Sequence, residues 1–386
     1  MAILRPVLAG IGLLCLAAGC TAQSWVIGPW TRASQEPVIR PRAASVFHDP
    51  VTGRAVHWEA LHTFNPAAVV RDRKVMLLYR AEDDSGSMTI GGHTSRLGMA
   101  ASTDGVHFTR MPVPVLYPAR DAQMEREWPG GVEDPRLVES EGGTYVLTYT
   151  QWSRTKGVYT IGIATSKDLV HWKKHGPALG TAGKYASWRY KSAGIVTQVK
   201  NGRLIAAKIG GRYWMYWGEV EVHVASSPDL VHWTPVENRS GEPVVVLKKR
   251  PDLSDSGFPE TGPPAVLTKR GIVLLYNAKN ATHGSMDTSV APGAYSVQEA
   301  LFDACDPSRS IARTEKPVFA PTLAWEKSGQ YAAGTTFAEG LVLFRGKWWL
   351  YYGAADTFVG AATAPVKSSE LNLPTGLSAS GCRHRR

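Results

Sequence analysis

The chain has 386 residues, and 43 Lys and Arg against 33 Asp and Glu give a net charge of +10. A hydrophobic fraction of 44% with 20% charged residues excludes wholesale disorder, and the length allows one large domain or two or three small ones. The basic excess is diffuse, apart from Lys248-Lys249-Arg250 and the tail Arg383-His384-Arg385-Arg386, and no basic helix carries interleaved aromatics, so nucleic acid is not an expected partner.

At the N-terminus, Arg5 precedes an apolar run from Pro6 to Ala18 that ends in Leu16-Ala17-Ala18-Gly19-Cys20. The run is short for a membrane span, and its charge and small-residue exit fit a secretion signal over 1–20. The residues before Cys20 look like a bacterial lipobox, which predicts acylation of Cys20 and attachment to a membrane. An ordinary signal peptide is the alternative. Both place the mature protein outside the cytoplasm, in the periplasm or on the outer membrane. Residues 21–60 read as an N-terminal extension, 61–370 as the main domain and 371–386 as a basic tail. Cys305 and Cys382 are then the internal thiols, either paired or free.

The main domain repeats. LGMAASTDGVHFTR at 97–110, IGIATSKDLVHWKK at 161–174 and VHVASSPDLVHWTP at 222–235 each read as a strand, a turn with Asp, and a second strand. A second element recurs as VMLLYRAED, YVLTYTQW, YWMYWGEVE, IVLLYNAKN and WWLYYGAAD, with aligned aromatics Tyr79, Tyr149, Trp217, Tyr276 and Tyr352. Their spacings are 70, 68, 59 and 76 residues. Even β-rich segments without helical periodicity predict an all-β, five-bladed β-propeller rather than a two-sheet sandwich, which would not explain so long a period.

Each aromatic strand follows another strand with a polar entrance: FNPAAVV, GVEDPRLV, YKSAGIVT, PETGPPAVL and TFAEGLVL. In a propeller these entrances converge on one funnel, which would collect Asn65, Glu133 with Asp134, Lys191, Glu260 and Glu339. Carboxylates gathered beside Trp and Tyr suit acid–base chemistry on sugars, because glycosidic cleavage needs one carboxylic acid and, with inversion, a second carboxylate to activate water. Clustering also raises the pKa of some members. The competing reading has Glu133 and Asp134 capping a strand and pairing with Arg136.

No metal site is expected. His171 and His175 form the one close pair, on a predicted strand rather than a helix, and the cysteines have no zinc spacing. His107, His171 and His232 occupy equivalent repeat positions and read as blade-packing residues. Nucleotide-binding loops and a serine nucleophile elbow are absent, so no organic cofactor is expected.

FNPAA at 64–68, LLYRAED at 77–83, SRLGMAASTDGVHF at 95–108, GVEDPR at 131–136, SKDLVHW at 166–172 and YYGAADT at 351–357 together resemble glycoside hydrolase family 130, from about Asn65 to Ala361. The resemblance implies a five-bladed propeller acting on β-mannosides, with manno-oligosaccharide as substrate. It implies that Asp134 is the general acid and that Asn65, Arg80, Arg96 and Asp356 contact sugar. Phosphorylases of this family hold phosphate with basic groups after the third-blade strand, where this chain has Tyr216-Trp217-Gly218-Glu219. Glu219 in MYWGE and Glu260 in PETGPP instead fit the pair that activates water in the β-1,2-mannosidase branch. Lys191 and Lys208 remain near the funnel, to bind phosphate, a sugar hydroxyl or Glu219. The expectation is an inverting β-1,2-mannosidase; a mannoside phosphorylase and a non-catalytic glycan-binding propeller are the alternatives.

Overall fold

A computed structural model describes residues 24–371. Among the described residues almost all regular structure is strand, and helical turns are confined to Met124–Glu127, Ala324–Lys327 and Ser368–Leu371. His62–Arg71, Lys74–Glu82, Ser95–Ser102 and Thr109–Arg110 pair antiparallel in that order. Gly131–Glu139, Tyr145–Ser153, Val158–Ser166 and Lys173–Pro177 repeat the pattern. Next, Ala193–Ile195 pairs with Arg212–Trp217, which pairs with Val222–Ser227. Phe258–Thr261 and Val266–Thr268 both flank Gly271–Lys279, followed outward by Tyr295–Phe302 and Ser310–Arg313.

Phe337–Phe344, Lys347–Ala354 and Phe358–Pro365 form the last meander. Its outer strand is Thr31–Arg32, drawn from the opposite end of the chain. Part of the stretch expected as an N-terminal extension thus closes the sheet, removing an exposed edge that would otherwise recruit other strands. Cys20, Cys382 and the basic tail lie outside the described residues; Cys305 is disulfide-bonded. The fold is all-β and propeller-like.

The repeated aromatics have a common structural reason. Tyr79, Tyr149, Tyr276 and Tyr352 are buried, and their hydroxyls donate to Glu59 (2.7 Å), Glu127 (2.8 Å), Asp255 (3.0 Å) and Glu326 (2.8 Å). A cation from the outermost strand of the same meander meets each carboxylate: Arg110, Lys174, Arg313 and Arg32. Each clasp ties the second strand of a meander to its fourth and satisfies a buried charge that would otherwise be costly. Glycine faces the tyrosine in register at Gly98 and Gly360, where a Cβ would lie 2.4 Å and 2.2 Å from the ring. The Arg212–Trp217 strand departs from the pattern, since Trp217 replaces the tyrosine and packs on His223 at 4.7 Å.

The other repeat is a turn. Ser102, Ser166 and Ser227 accept from backbone amides, while Asp104, Asp168 and Asp229 each accept from two amides and from Nδ1 of His107, His171 or His232. The three histidines are 88%, 87% and 83% exposed. The packing role expected of them is therefore corrected: they cap turns in solvent, and the packing falls to the aromatics that follow, such as Trp172 and Trp233.

Glu299 is buried and accepts from the Ile27 amide at 2.9 Å, holding the N-terminal segment against the sheet. Burial pushes its pKa up to about 8, from roughly 4.3 in an unfolded chain. The folded state therefore holds this proton more tightly, and the associated stability is lost as pH rises from about 5 through 8, on the order of 1.4 kcal/mol per unit. Glu299→Gln should leave Tm little changed at pH 5 and raise it at pH 9. Thermal melts at the two pH values check this, and equal shifts at both would refute it.

Candidate functional site

The inner strands bulge where they enter the axis. Register breaks fall at Asn65, at Asp134-Pro135 and at Glu339. Asn65 (φ 45°), Asp134 (φ 46°) and Ser192 (φ 58°) hold left-handed backbone, a conformation that Asn and Asp tolerate best. Such bulges re-aim side chains, here from several meanders toward one point.

That point is a cavity of about 380 Å³. Asn65, Arg80, Asp134, Lys191, Glu219, Glu260 and Asp356 all line it. Glu133 joins them, as does a wall of Trp152, Tyr159, Tyr295, Tyr331 and Phe337. Tyr295 stacks edge-on with both Tyr331 and Phe337 at 5.5 Å, leaving apolar ring surface for a sugar face.

Arg80 organises one side. Its guanidinium donates to Asp134 Oδ1 (3.0 Å), Glu133 Oε1 (2.8 Å) and Glu82 Oε1 (2.6 Å), and lies over the Phe64 ring at 4.6 Å. Asn65 Nδ2 donates to the same Asp134 oxygen at 2.8 Å. These bonds divide two neighbouring carboxyls. Burial raises Asp134, but Arg80, Lys191, Arg136 and the Asn65 bond outweigh it and bring the pKa to about 2. For Glu133, burial together with the charges of Asp134 and Glu82 outweighs Arg80, and the pKa rises to about 7. Asp356 is also pushed up to about 7, chiefly by burial. The Glu133–Asp134 pair therefore retains a proton near neutral pH.

On the other side Lys191 sits between two carboxylates, 3.2 Å from Glu219 Oε2 and 3.3 Å from Glu260 Oε1. Burial works against its charge, but Glu260 and Glu219 hold it cationic. Glu219 and Glu260 are antiparallel bridge partners, which explains how residues far apart in sequence share one cation. Tyr159 donates to Glu219 Oε1 at 2.9 Å and Ser192 to Glu260 Oε1 at 2.6 Å. Glu260 Oε2 is buried without a hydrogen-bond partner, and burial raises the group's pKa.

Three expected residues are not brought into the cavity. Arg96 is 1% exposed, locked between Asp49 (2.5 Å) and Asp83 (2.6 Å), and lines no part of it. Lys208 is exposed, with its ammonium over the Tyr213 ring at 4.8 Å. Glu339 is buried beneath the funnel against Arg136 at 3.0 Å, and Arg136 donates to the carbonyls of Asp134, Thr261 and Gly262, cross-linking three inner strands. Arg96→Met should therefore lower stability by about 3–5 kcal/mol, because it leaves two buried carboxylates unpaired. Lys208→Ala should leave kcat/KM within about twofold. Thermal melts and steady-state kinetics check both, and a selective KM effect of Lys208→Ala would return it to the site.

Sequence spacing missed Tyr159, Tyr295, Tyr331 and Lys279, because they enter from strand ends and loops outside the repeated entrances. It also missed a possible metal-ligand group. His62, Glu82 and His93 place ligand atoms within 4.8 Å of one another beside the cavity. One member is already engaged: Glu82 accepts from Arg80 and from Gln330, so a cation would have to compete for its oxygens, although burial lowers His62 to about 4 and keeps its imidazole neutral.

A family model described as beta-1,4-mannooligosaccharide phosphorylase, that of glycoside hydrolase family 130, matches residues 32–370. The chain belongs to glycoside hydrolase family 130. A 1,2-beta-oligomannan phosphorylase from Thermoanaerobacter sp. (strain X514) is 32% identical over 338 residues, covering 87% of this chain and 97% of that protein. Among solved structures, one reported under the statement that this family contains glycoside hydrolases targeting beta-1,2 mannosidic linkages in Candida mannan is 46% identical. It superposes with a TM-score of 0.87 over 92% of this chain and 99% of that one. A glycosyl hydrolase from Bacteroides ovatus is also 46% identical, with a TM-score of 0.85 over 90% and 98%. Members of family 130 thus include phosphorylases and hydrolases, both acting on mannosides.

Proposed function

We propose that this family 130 protein is an inverting hydrolase of β-1,2-linked manno-oligosaccharides, built as a five-bladed propeller whose inner strands begin at His62, Gly131, Ala193, Phe258 and Phe337. The observation that carries hydrolysis is the Glu219–Lys191–Glu260 arrangement. A phosphate would have to approach a lysine already bracketed by two carboxylates, against their repulsion. A neutral water meets no such barrier, and it finds an unpartnered carboxylate oxygen on Glu260 to take its proton.

In this reading Glu219, steadied by Tyr159, orients the water, and Glu260 deprotonates it as it attacks the anomeric carbon. The Glu133–Asp134 pair supplies the proton for the departing oxygen. Near neutral pH that proton rests on Glu133, which becomes the carboxylate as Asp134, kept ionised by Asn65 and Arg80 at Oδ1, relays it to the departing oxygen directly or through a sugar hydroxyl. Asn65, Arg80 and Asp356 position the sugar, and the tyrosines stack on its faces. Attachment through an acylated Cys20 outside the cytoplasm belongs to the same proposal.

Phosphorolysis is the second reading, favoured by the names of the curated relatives and by Lys191 and Lys279 on the cavity wall. Incubation with β-1,2-mannobiose, with and without phosphate, separates the two. Free mannose released at the same rate in both supports hydrolysis; mannose 1-phosphate formed only with phosphate overturns it.

A further inference from the structure

At the far end of the same strands, hairpin turns converge on a second cavity of about 810 Å³. Asn65 lines the first cavity and Arg71 the second, and the six residue steps of strand from one to the other span about 20 Å. Val69, Leu137, Leu341 and Leu343, from the same inner strands, surround a void of only about 10 Å³, and no residue lines both cavities.

The charge here is one-sided. Arg71, Arg73, Lys74, Lys167, Arg203 and Arg345 line the cavity with Asp72 as the one carboxylate. Arg71 is satisfied by Asp72 at 3.4 Å and Arg203 by Glu139 at 2.7 Å. Arg73, Lys74, Lys167 and Arg345 have no carboxylate partner among the described residues. All four are exposed, so water and salt screen their mutual repulsion, but an anion entering the cavity would meet them together.

Backbone conformation adds an independent observation. Arg73 (φ 59°) and Arg345 (φ 49°) sit in left-handed turns, where glycine, asparagine or aspartate fits with less strain. The neighbouring turn at Asn201 (φ 51°) uses the favoured residue. Arginine is thus placed, against local preference, at two turns that face the same cavity.

We propose that this basal cavity binds a ligand carrying several phosphate groups. Arginine forks bind phosphate oxygens in pairs, and clustered phosphates match several unpaired cations at once, as a single carboxylate would not. The source is either phospholipid headgroups of a membrane surface or a soluble phosphorylated molecule.

The test uses the full chain with inositol hexakisphosphate as soluble probe and phosphatidylglycerol/phosphatidylcholine vesicles as membrane probe. Calorimetry in 50 mM NaCl should give saturable binding at one site, weaker at 200 mM NaCl. An Arg73→Asn/Arg345→Asn double variant, whose new residues suit the turns, should bind about tenfold more weakly. A Lys248→Gln/Lys249→Gln double variant removes the same charge from an exposed run elsewhere and should change affinity less than about twofold. Mannoside turnover should be unchanged in both. Vesicle cosedimentation that the arginine variant abolishes would assign the headgroups; probe binding without cosedimentation would assign a soluble ligand. No saturable binding, or equal weakening in both double variants, would overturn the proposal.

Discussion

Asp134→Asn is expected to lower kcat about 10³-fold while leaving Tm within a few degrees of wild type. The amide keeps the volume and can still accept from Asn65 and Arg80 through its oxygen, but it cannot deliver a proton, and general acid catalysis contributes about 10²–10⁴ in rate. A substrate with a nitrophenolate leaving group should be cut much less severely, because that group departs without protonation. A uniform loss across both substrates would argue that Asp134 grips the sugar rather than protonating its leaving oxygen. Near-wild-type turnover of mannobiose would remove Asp134 from the chemistry. Glu133→Gln provides the companion measurement. If the pair shares one proton, this change should move the alkaline limb of the pH–rate profile, which a purely structural role would not do.

Glu260→Gln is expected to cost about 10²–10⁴ in kcat, since it replaces the unpartnered carboxylate oxygen that would take the proton from water. Azide needs no deprotonation, so adding it should restore turnover and give the α-mannosyl azide from a β-mannoside. Glu219→Gln should be milder, because this carboxylate is already engaged by Tyr159 and Lys191 and serves to orient. Full activity in Glu260→Gln, or a β-configured azide product, would refute water activation by Glu260 with inversion.

Several of these residues could be read in the linear chain because repeats carry position. The recurring aromatic strands at Tyr79, Tyr149, Tyr276 and Tyr352 marked second strands, so the polar entrances before them marked the axis. That logic placed Asn65, Asp134, Lys191 and Glu260 together correctly. It misplaced Glu339, because an entrance position does not say whether a side chain rises into the cavity or turns beneath it toward Arg136. Arg96 failed for a related reason. It lies on the same repeat as Arg80, but alternation along the third strand delivers it to Asp49 and Asp83 instead of the cavity.

The protonation pattern was not legible at all. Glu133 and Asp134 are adjacent in sequence, yet Arg80 and Asn65 arrive from another meander to lower one while burial raises the other. Likewise, the sharing of Lys191 by Glu219 and Glu260 depends on a bridge between strands of different meanders.

By itself, the sequence determined the all-β repeat, the family and the residue types at the axis, because these follow from periodicity and local strand patterning. Only the tertiary structure decided which charges are paired, which carboxylates keep a proton, and that basic turns meet at the opposite end. Those outcomes depend on burial and on distances between residues far apart in the chain. Electrostatics in a low-dielectric site depends steeply on such distances, and they exist only once the ring of meanders has closed.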